Sequence, residues 1–115
     1  MPFVHVQTSV PVSEPAREEL LVAVSRLAAK AIGKPESYVM TGLSQGPMLM
    51  GGKPGPAAFC EVRSIGGLGP EVCTALSSQL CALLEEKLGV TPERVFLNFV
   101  EVEAERWGWN KATFG

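Results

Sequence analysis

Between residues 3 and 10, Val4, Val6, Thr8 and Val10 alternate with His5, Gln7 and Ser9, the period-two signature of a strand buried on one face. The period then lengthens. From about Glu14 to Ile32, Leu20, Val24, Leu27 and Ala31 fall on one stripe, which predicts a helix with Ser13 as its N-cap, Pro15 in its first turn and Gly33 just past its end. A strand near 38–44 closes this first segment. The same succession follows again: a strand from Phe59, a helix opened by Pro70 and striped by Leu76, Leu80, Leu83 and Leu84, a closing Gly89, and a strand near 94–102.

The recurrence extends to individual residues. Displaced so that Phe3 falls on Phe59, "FVHVQT" lands on "FCEVRS", Leu20 on Leu76, Val24 on Leu80, Leu27 on Leu83 and Gly33 on Gly89; a one-residue slip then sets "PESYVM" on "PERVFL". The chain is two copies of a strand–helix–strand unit. Right-handed crossovers place both helices on one face of the sheet. The predicted fold is therefore a two-layer α/β domain over 1–115, with repeats at about 2–45 and 58–102, a tail at 103–115 and a four-stranded mixed sheet. The opposite sheet face, with His5, Gln7, Glu61 and Arg63, is too polar for a core. Either it is solvated, or it lines the interior of an oligomer.

Two segments lie outside the repeat. "GPMLMGGKPGP" (46–56) carries Met48, Leu49 and Met50 through a Gly- and Pro-rich connection, and "ERWGWNKATFG" (105–115) holds both tryptophans and Phe114. Large apolar residues beyond the regular elements point to burial against a neighbouring subunit, the alternative being a simple fold-back of the C-terminus over its own core.

Composition narrows the function. The chain is 46% hydrophobic and 19% charged with a net charge of -2, which fits a globular protein and lacks the basic footprint of a nucleic-acid binder. No apolar run is long enough to span a bilayer and no targeting segment is read, so the expectation is a cytoplasmic protein without a membrane partner. Cys60, Cys73 and Cys81 are odd in number and form no C-x-x-C pair, so they read as small hydrophobes. With His5 the only histidine, neither a metal site nor a Ser/His/Asp triad is expected, and no cofactor is implied. "SIGGLGP" (64–70) matches no nucleotide fingerprint, and a tight turn is the simpler account.

The start of the chain, "MPFVHVQTSV", offers other chemistry. Proline donates nothing to a sheet ladder and is tolerated at a strand's first residue. Removal of Met1 would turn the Pro2 nitrogen from an amide into a secondary amine. An apolar wall of Phe3, Tyr38, Phe96, Trp107 and Trp109 would lower that amine's pKa toward neutrality, as would a nearby Lys34, which could also hold a substrate carboxylate. A base so poised moves protons at a carbon next to a carbonyl.

"MPF" with "TSVP" (8–11), "GKP" (33–35) with Tyr38, "GG" (51–52), "SIG" (64–66), "RVFLNF" (94–99) and "GWNKATF" (108–114) together resemble the macrophage migration inhibitory factor family of the tautomerase superfamily. The chain is similar also to D-dopachrome tautomerase. The resemblance implies a homotrimer whose sheets enclose a channel, and keto–enol tautomerisation of small aromatic keto acids in pockets between subunits. It implies Pro2 as the base, Lys34 on the substrate carboxylate, the backbone of Ile65 assisting, Asn98 of the adjacent chain on a polar group, and Phe3, Tyr38, Trp109 and Phe114 as lining. Phe96 stands where better-known members have tyrosine, removing a pocket hydroxyl, and Trp107 replaces a small residue at the rim. Ala57 replaces the first cysteine of a C-x-x-C, which removes thiol oxidoreductase chemistry. Val12 replaces an arginine implicated in receptor recognition, which weakens the alternative of a non-catalytic, cytokine-like binding protein.

Overall fold

In the computed structural model, which describes residues 1–115, the elements run β1 (Phe3–Thr8), α1 (Ala16–Ile32), β2 (Met40–Gln45), β3 (Ala58–Ser64), α2 (Pro70–Leu88) and β4 (Val95–Glu101), then a short hairpin of β5 (Gly108–Trp109) and β6 (Ala112–Thr113). The main sheet has the order β2-β1-β3-β4. β1 is parallel to β2, β3 is parallel to β4, and the central pair is antiparallel, so the sheet is mixed and built from two βαβ units. The two-layer fold is as the pattern predicts.

Phe3 pairs with Met40 and Phe59 pairs with Phe96, so a single displacement relates the units along their whole length. The one-residue slip read from the sequence is absent. Pairing with the inner strands fixes which face each side chain takes, and a slip would turn every residue of the outer strand over. The counterpart of Tyr38 is therefore Arg94, not Val95.

On one sheet face Val4, Val6, Cys60 and Val62 are fully buried beneath Leu20, Val24 and Ala28 of α1 and Leu76, Leu80 and Leu84 of α2. Each buried leucine contributes about 1.5–3 kcal/mol of transfer free energy. The first half of the α1 stripe, Leu20 and Val24, is buried as expected; the second half is shifted by one residue to Ala28 and Ile32, with Leu27 and Ala31 at its flank. Packing against α2 and the sheet decides that rotation, which spacing alone leaves open. Leu83 likewise flanks the buried stripe of α2.

Both helices end in left-handed glycines, Gly33 (φ 78°) and Gly89 (φ 69°), as expected. The start of α1 differs. Pro15 occupies the cap position and no side chain caps the helix, so Ser13 lies outside and offers its backbone carbonyl to the Arg17 N–H at 3.0 Å. All three cysteines are free; Cys60 is buried and Cys73 and Cys81 are half-buried. Burial, then the neighbouring Cys81, push the Cys60 thiol up to about 12.

The tail makes contacts within its own chain. It folds back on its own chain through a turn at Asn110 (φ 51°) and Lys111 (φ 68°), the geometry that tightens a two-residue hairpin. Trp109 stacks on Phe114 at 5.6 Å and meets the edge of Tyr38 at 5.9 Å, although it remains 55% exposed. Met40, Leu49 and Phe96 are more exposed still.

Candidate active site

Pro2 sits immediately before β1, fully buried, and its carbonyl accepts the Met40 N–H at 3.0 Å, tying the start of β1 to β2. At this position the missing proline N–H costs no ladder bond. Met1 precedes it, so the Pro2 nitrogen is an amide and the chain's amine belongs to Met1. Burial, then the Lys34 ammonium, hold that amine below its ordinary value of 8.0. An amine at this end of the chain therefore meets the two influences that favour a free base.

Lys34 is placed by the end of α1. The left-handed Gly33 turns the chain, and the Lys34 N–H still bonds the Ala29 carbonyl at 3.1 Å. Its side chain lines a cavity of about 410 Å³ together with Met1, Tyr38, Ile65 and Phe114. The loop after β3 passes against it. A Cβ on Gly67 (φ +77°) would stand 3.0 Å from Ile32 Cγ2 and 3.7 Å from Lys34 Cε.

A second cavity, of about 220 Å³, shares Met1, Tyr38 and Phe114 with the first and reaches Pro2, Phe3, Trp107 and Trp109. Beyond Trp107 a third, of about 340 Å³, shares Phe3 and Met40 with the second and carries Arg63 and Arg106. Arg63 lies 3.4 Å from Glu61, whereas Arg106 has no carboxylate within 4.0 Å. The three spaces form a row with Pro2 in the middle member. Pro2, Phe3, Lys34, Tyr38, Ile65, Trp107, Trp109 and Phe114 thus come together from both ends of the sequence.

Phe96 and Asn98 do not join them within one chain. Both lie on β4, on the helix-free face, Phe96 paired with Phe59 and Asn98 with Glu61. Phe3 shares its row with Arg63 and Val100, which leaves Phe96 four residues away along the strand, ~13 Å. Phe96 lines a different cavity with Gln7, Met48 and Phe59. Within one chain Phe96 therefore does not reach the wall around Pro2, because β4 runs the other way along the sheet.

The loop "SIGGLGP" is a turn through left-handed Gly66 (φ 68°) and Gly67. Glu101 Oε2 accepts the Leu68 N–H at 3.1 Å, so one of the loop's donors is already occupied. The Ile65 N–H has no hydrogen-bond partner and remains available beside Lys34. Sequence reasoning passed over Ser64. It is fully buried at the end of β3, and its Oγ is the one buried side-chain polar atom without a hydrogen bond. Nothing in a lone serine signals this; it follows from the pairing of β1 with β3.

The largest cavity, about 740 Å³, lies at the opposite end of the sheet among Ser9, Val10, Pro11, Met48, Leu49 and Leu88. It contains no ionisable side chain, so size does not mark the chemistry here. No group of three or more His, Cys, Asp or Glu side chains is gathered to hold a metal ion, and no helix is long and apolar enough to cross a membrane.

A sequence model described as macrophage migration inhibitory factor matches residues 1–115. A macrophage migration inhibitory factor homolog of Brugia malayi is 36% identical over 116 residues, covering 100% of both chains. The macrophage migration inhibitory factor of Rattus norvegicus is 34% identical, covering 99% of each. Among solved structures, a macrophage migration inhibitory factor-like protein of Entamoeba histolytica superposes with a TM-score of 0.94 at 32% identity, over 98% of both chains. A homologue from Prochlorococcus marinus superposes with a TM-score of 0.93 at 38% identity, over 98% of this chain and 99% of that one.

Proposed function

The chain belongs to the macrophage migration inhibitory factor family, and from that premise we propose that it is a keto–enol tautomerase of phenylpyruvate-like and dopachrome-like substrates. Pro2 is the base, once Met1 has been removed. The observation that carries this reading is the burial of Pro2 in the middle of a row of cavities, beside an aromatic cluster and with Lys34 lining the adjoining cavity.

The freed proline nitrogen is a secondary amine, more basic than an ordinary α-amine, and needs both desolvation and a neighbouring cation to stay unprotonated near neutral pH. The substrate carboxylate rests on the Lys34 ammonium and the unpartnered Ile65 N–H. Its planar part lies against Tyr38, Trp109 and Phe114. The Pro2 nitrogen takes a proton from the carbon next to the carbonyl, and the C–H electron pair becomes the enol double bond. The carbonyl π pair moves to oxygen, which collects a proton from solvent, while Pro2 returns its own to solvent. The reverse order converts enol to ketone.

The active assembly in this reading is a homotrimer. The polar sheet face then lies inside it, and Asn98 of the partner subunit orients a polar substrate group.

The test is the rate of phenylpyruvate ketonisation, followed by ultraviolet absorbance on protein whose loss of Met1 has been verified by intact mass. A Pro2→Gly variant is expected to be slower by about 10²–10⁴-fold, the range a positioned general base supplies. Equal rates would remove Pro2 as the base. Ligand binding without turnover by the processed protein would instead favour a non-catalytic binding role.

A further inference from the structure

Ser64 poses a specific problem: a hydroxyl with no exposure to solvent has been left without a partner. Such a group costs free energy, and a fold retains it where something outside the ordinary ladder of bonds engages it. The register of the central strands says what lies next to it. Phe3 pairs antiparallel with Arg63, so Pro2 stands directly opposite Ser64. Both are buried, and both point to the helix-covered face.

The internal duplication supplies a reference. The counterpart of Ser64 is Thr8, and the counterpart of the Met1–Pro2 pair is Ala57–Ala58. There the hydroxyl is satisfied: Thr8 Oγ1 donates to the Ala57 carbonyl at 2.8 Å, and the Ser9 N–H donates to the same oxygen at 3.2 Å. Ser64 Oγ and the Ile65 N–H are thus the two equivalent groups at the Pro2 end, on the residues that the register sets opposite Pro2 and Met1. Neither has a partner.

From this we infer that Ser64 is a positioning residue for Pro2: when Met1 leaves, its hydroxyl hydrogen-bonds the ring nitrogen, fixing the lone pair and holding the proton that nitrogen acquires. The inference rests on the reading of Pro2 as base. The hydroxyl can donate to the free amine and accept from the protonated one. A hydrogen bond to a charged group is roughly twice as strong as a neutral one, so Ser64 favours the protonated form and opposes Lys34 and burial. The other ionisable groups near this end are Tyr38 in the same cavity, Glu101 beside Ser64 on β4, and Arg63 and Arg106 beyond Trp107. Glu101 is engaged with the Leu68 N–H.

The experiment is a ¹⁵N NMR titration of the Pro2 amine in full-length, Met1-processed protein, alongside the pH dependence of kcat/KM for phenylpyruvate. Ser64→Ala is expected to lower the midpoint by on the order of one pH unit and kcat by about tenfold. Ser64→Thr, which copies Thr8, should restore both. An unchanged midpoint in Ser64→Ala overturns the inference. If Ser64→Ala does not fold, Ser64→Cys, which keeps the shape and weakens the hydrogen bond, must show the lowered midpoint; an unchanged one is equally fatal. A shifted NMR midpoint with an unmoved kinetic profile would uphold the Ser64 contact and defeat Pro2 as the base. Loss of activity in Pro2→Gly together with a null result for Ser64 would do the reverse.

Discussion

The two ends of the sheet are built from the same unit, and the proposed site lies at only one of them. At the first end Pro2, Lys34 and Tyr38 surround connected cavities; at the other the equivalent residues are Ala58, Val90 and Arg94. Ala58 and Val90 are buried in the core, and Arg94 is spent on the loop backbone, donating to the carbonyls of Pro56 at 2.7 Å and Lys53 at 3.1 Å. The silent end even has the larger cavity. What separates the proposed site from its counterpart is a proline in place of an alanine, and a cation in place of a valine.

Five changes sharpen or break that comparison. The largest effect belongs to Met1. Protein that keeps it has an amide at Pro2, and its phenylpyruvate tautomerase rate should fall by about 10²–10⁴-fold relative to the processed form; equal rates in mass-verified samples would erase the distinction between the ends. Next come the paired core leucines. Leu20 and Leu76 are counterparts with 1% and 0% exposure, so Leu20→Ala and Leu76→Ala should each cost about 2–5 kcal/mol in urea unfolding. Unequal losses would show that the two units do not share one core evenly.

Lys34→Val gives the first unit the residue of the second. It should raise KM about tenfold or more by removing a charge-assisted contact to the carboxylate. It also removes a neighbour that lowers the amine's pKa, so the base is protonated more readily and the acid limb of the kcat/KM profile should move to higher pH. An unmoved limb would leave burial as the only influence lowering that pKa. The smallest effect concerns Cys60, the counterpart of Val4. Its folded pKa, about 12, lies above the ordinary thiol value of 9.0, so its thiol contribution is intact below pH 9. That contribution is lost as pH rises toward about 12, because the unfolded chain ionises first. Cys60→Val should flatten the alkaline fall in stability measured by denaturant titration.

Most of the fold was legible because its signals are local. Alternation gave β1, leucine spacing gave both helices, and Gly33 and Gly89 marked their ends. What the sequence hid depends on packing between distant segments. The rotation of α1 toward Ala28 and Ile32, the constant displacement between the units and the fold-back of the tail all belong to this class. The candidate site divides similarly. Pro2 and Lys34 stand out by chemistry, whereas the separation of Phe96 from Pro2 and the isolation of Ser64 Oγ appear only with the strand register. Pairwise resemblance in a repeat identifies counterparts; it does not say which end of a sheet each occupies.

The tight fit at Gly67 has a consequence for variation in this chain. A Cβ there forces the Ile32 methyl to give way and comes into contact with the aliphatic stem of Lys34, while every replacement also forces an L-residue into left-handed backbone. At the adjacent Gly66 a Cβ would meet open space. Among two neighbouring glycines in one turn, a screen for weakened substrate affinity should therefore recover replacements at the second that misplace an ammonium lying more than thirty positions earlier in the chain.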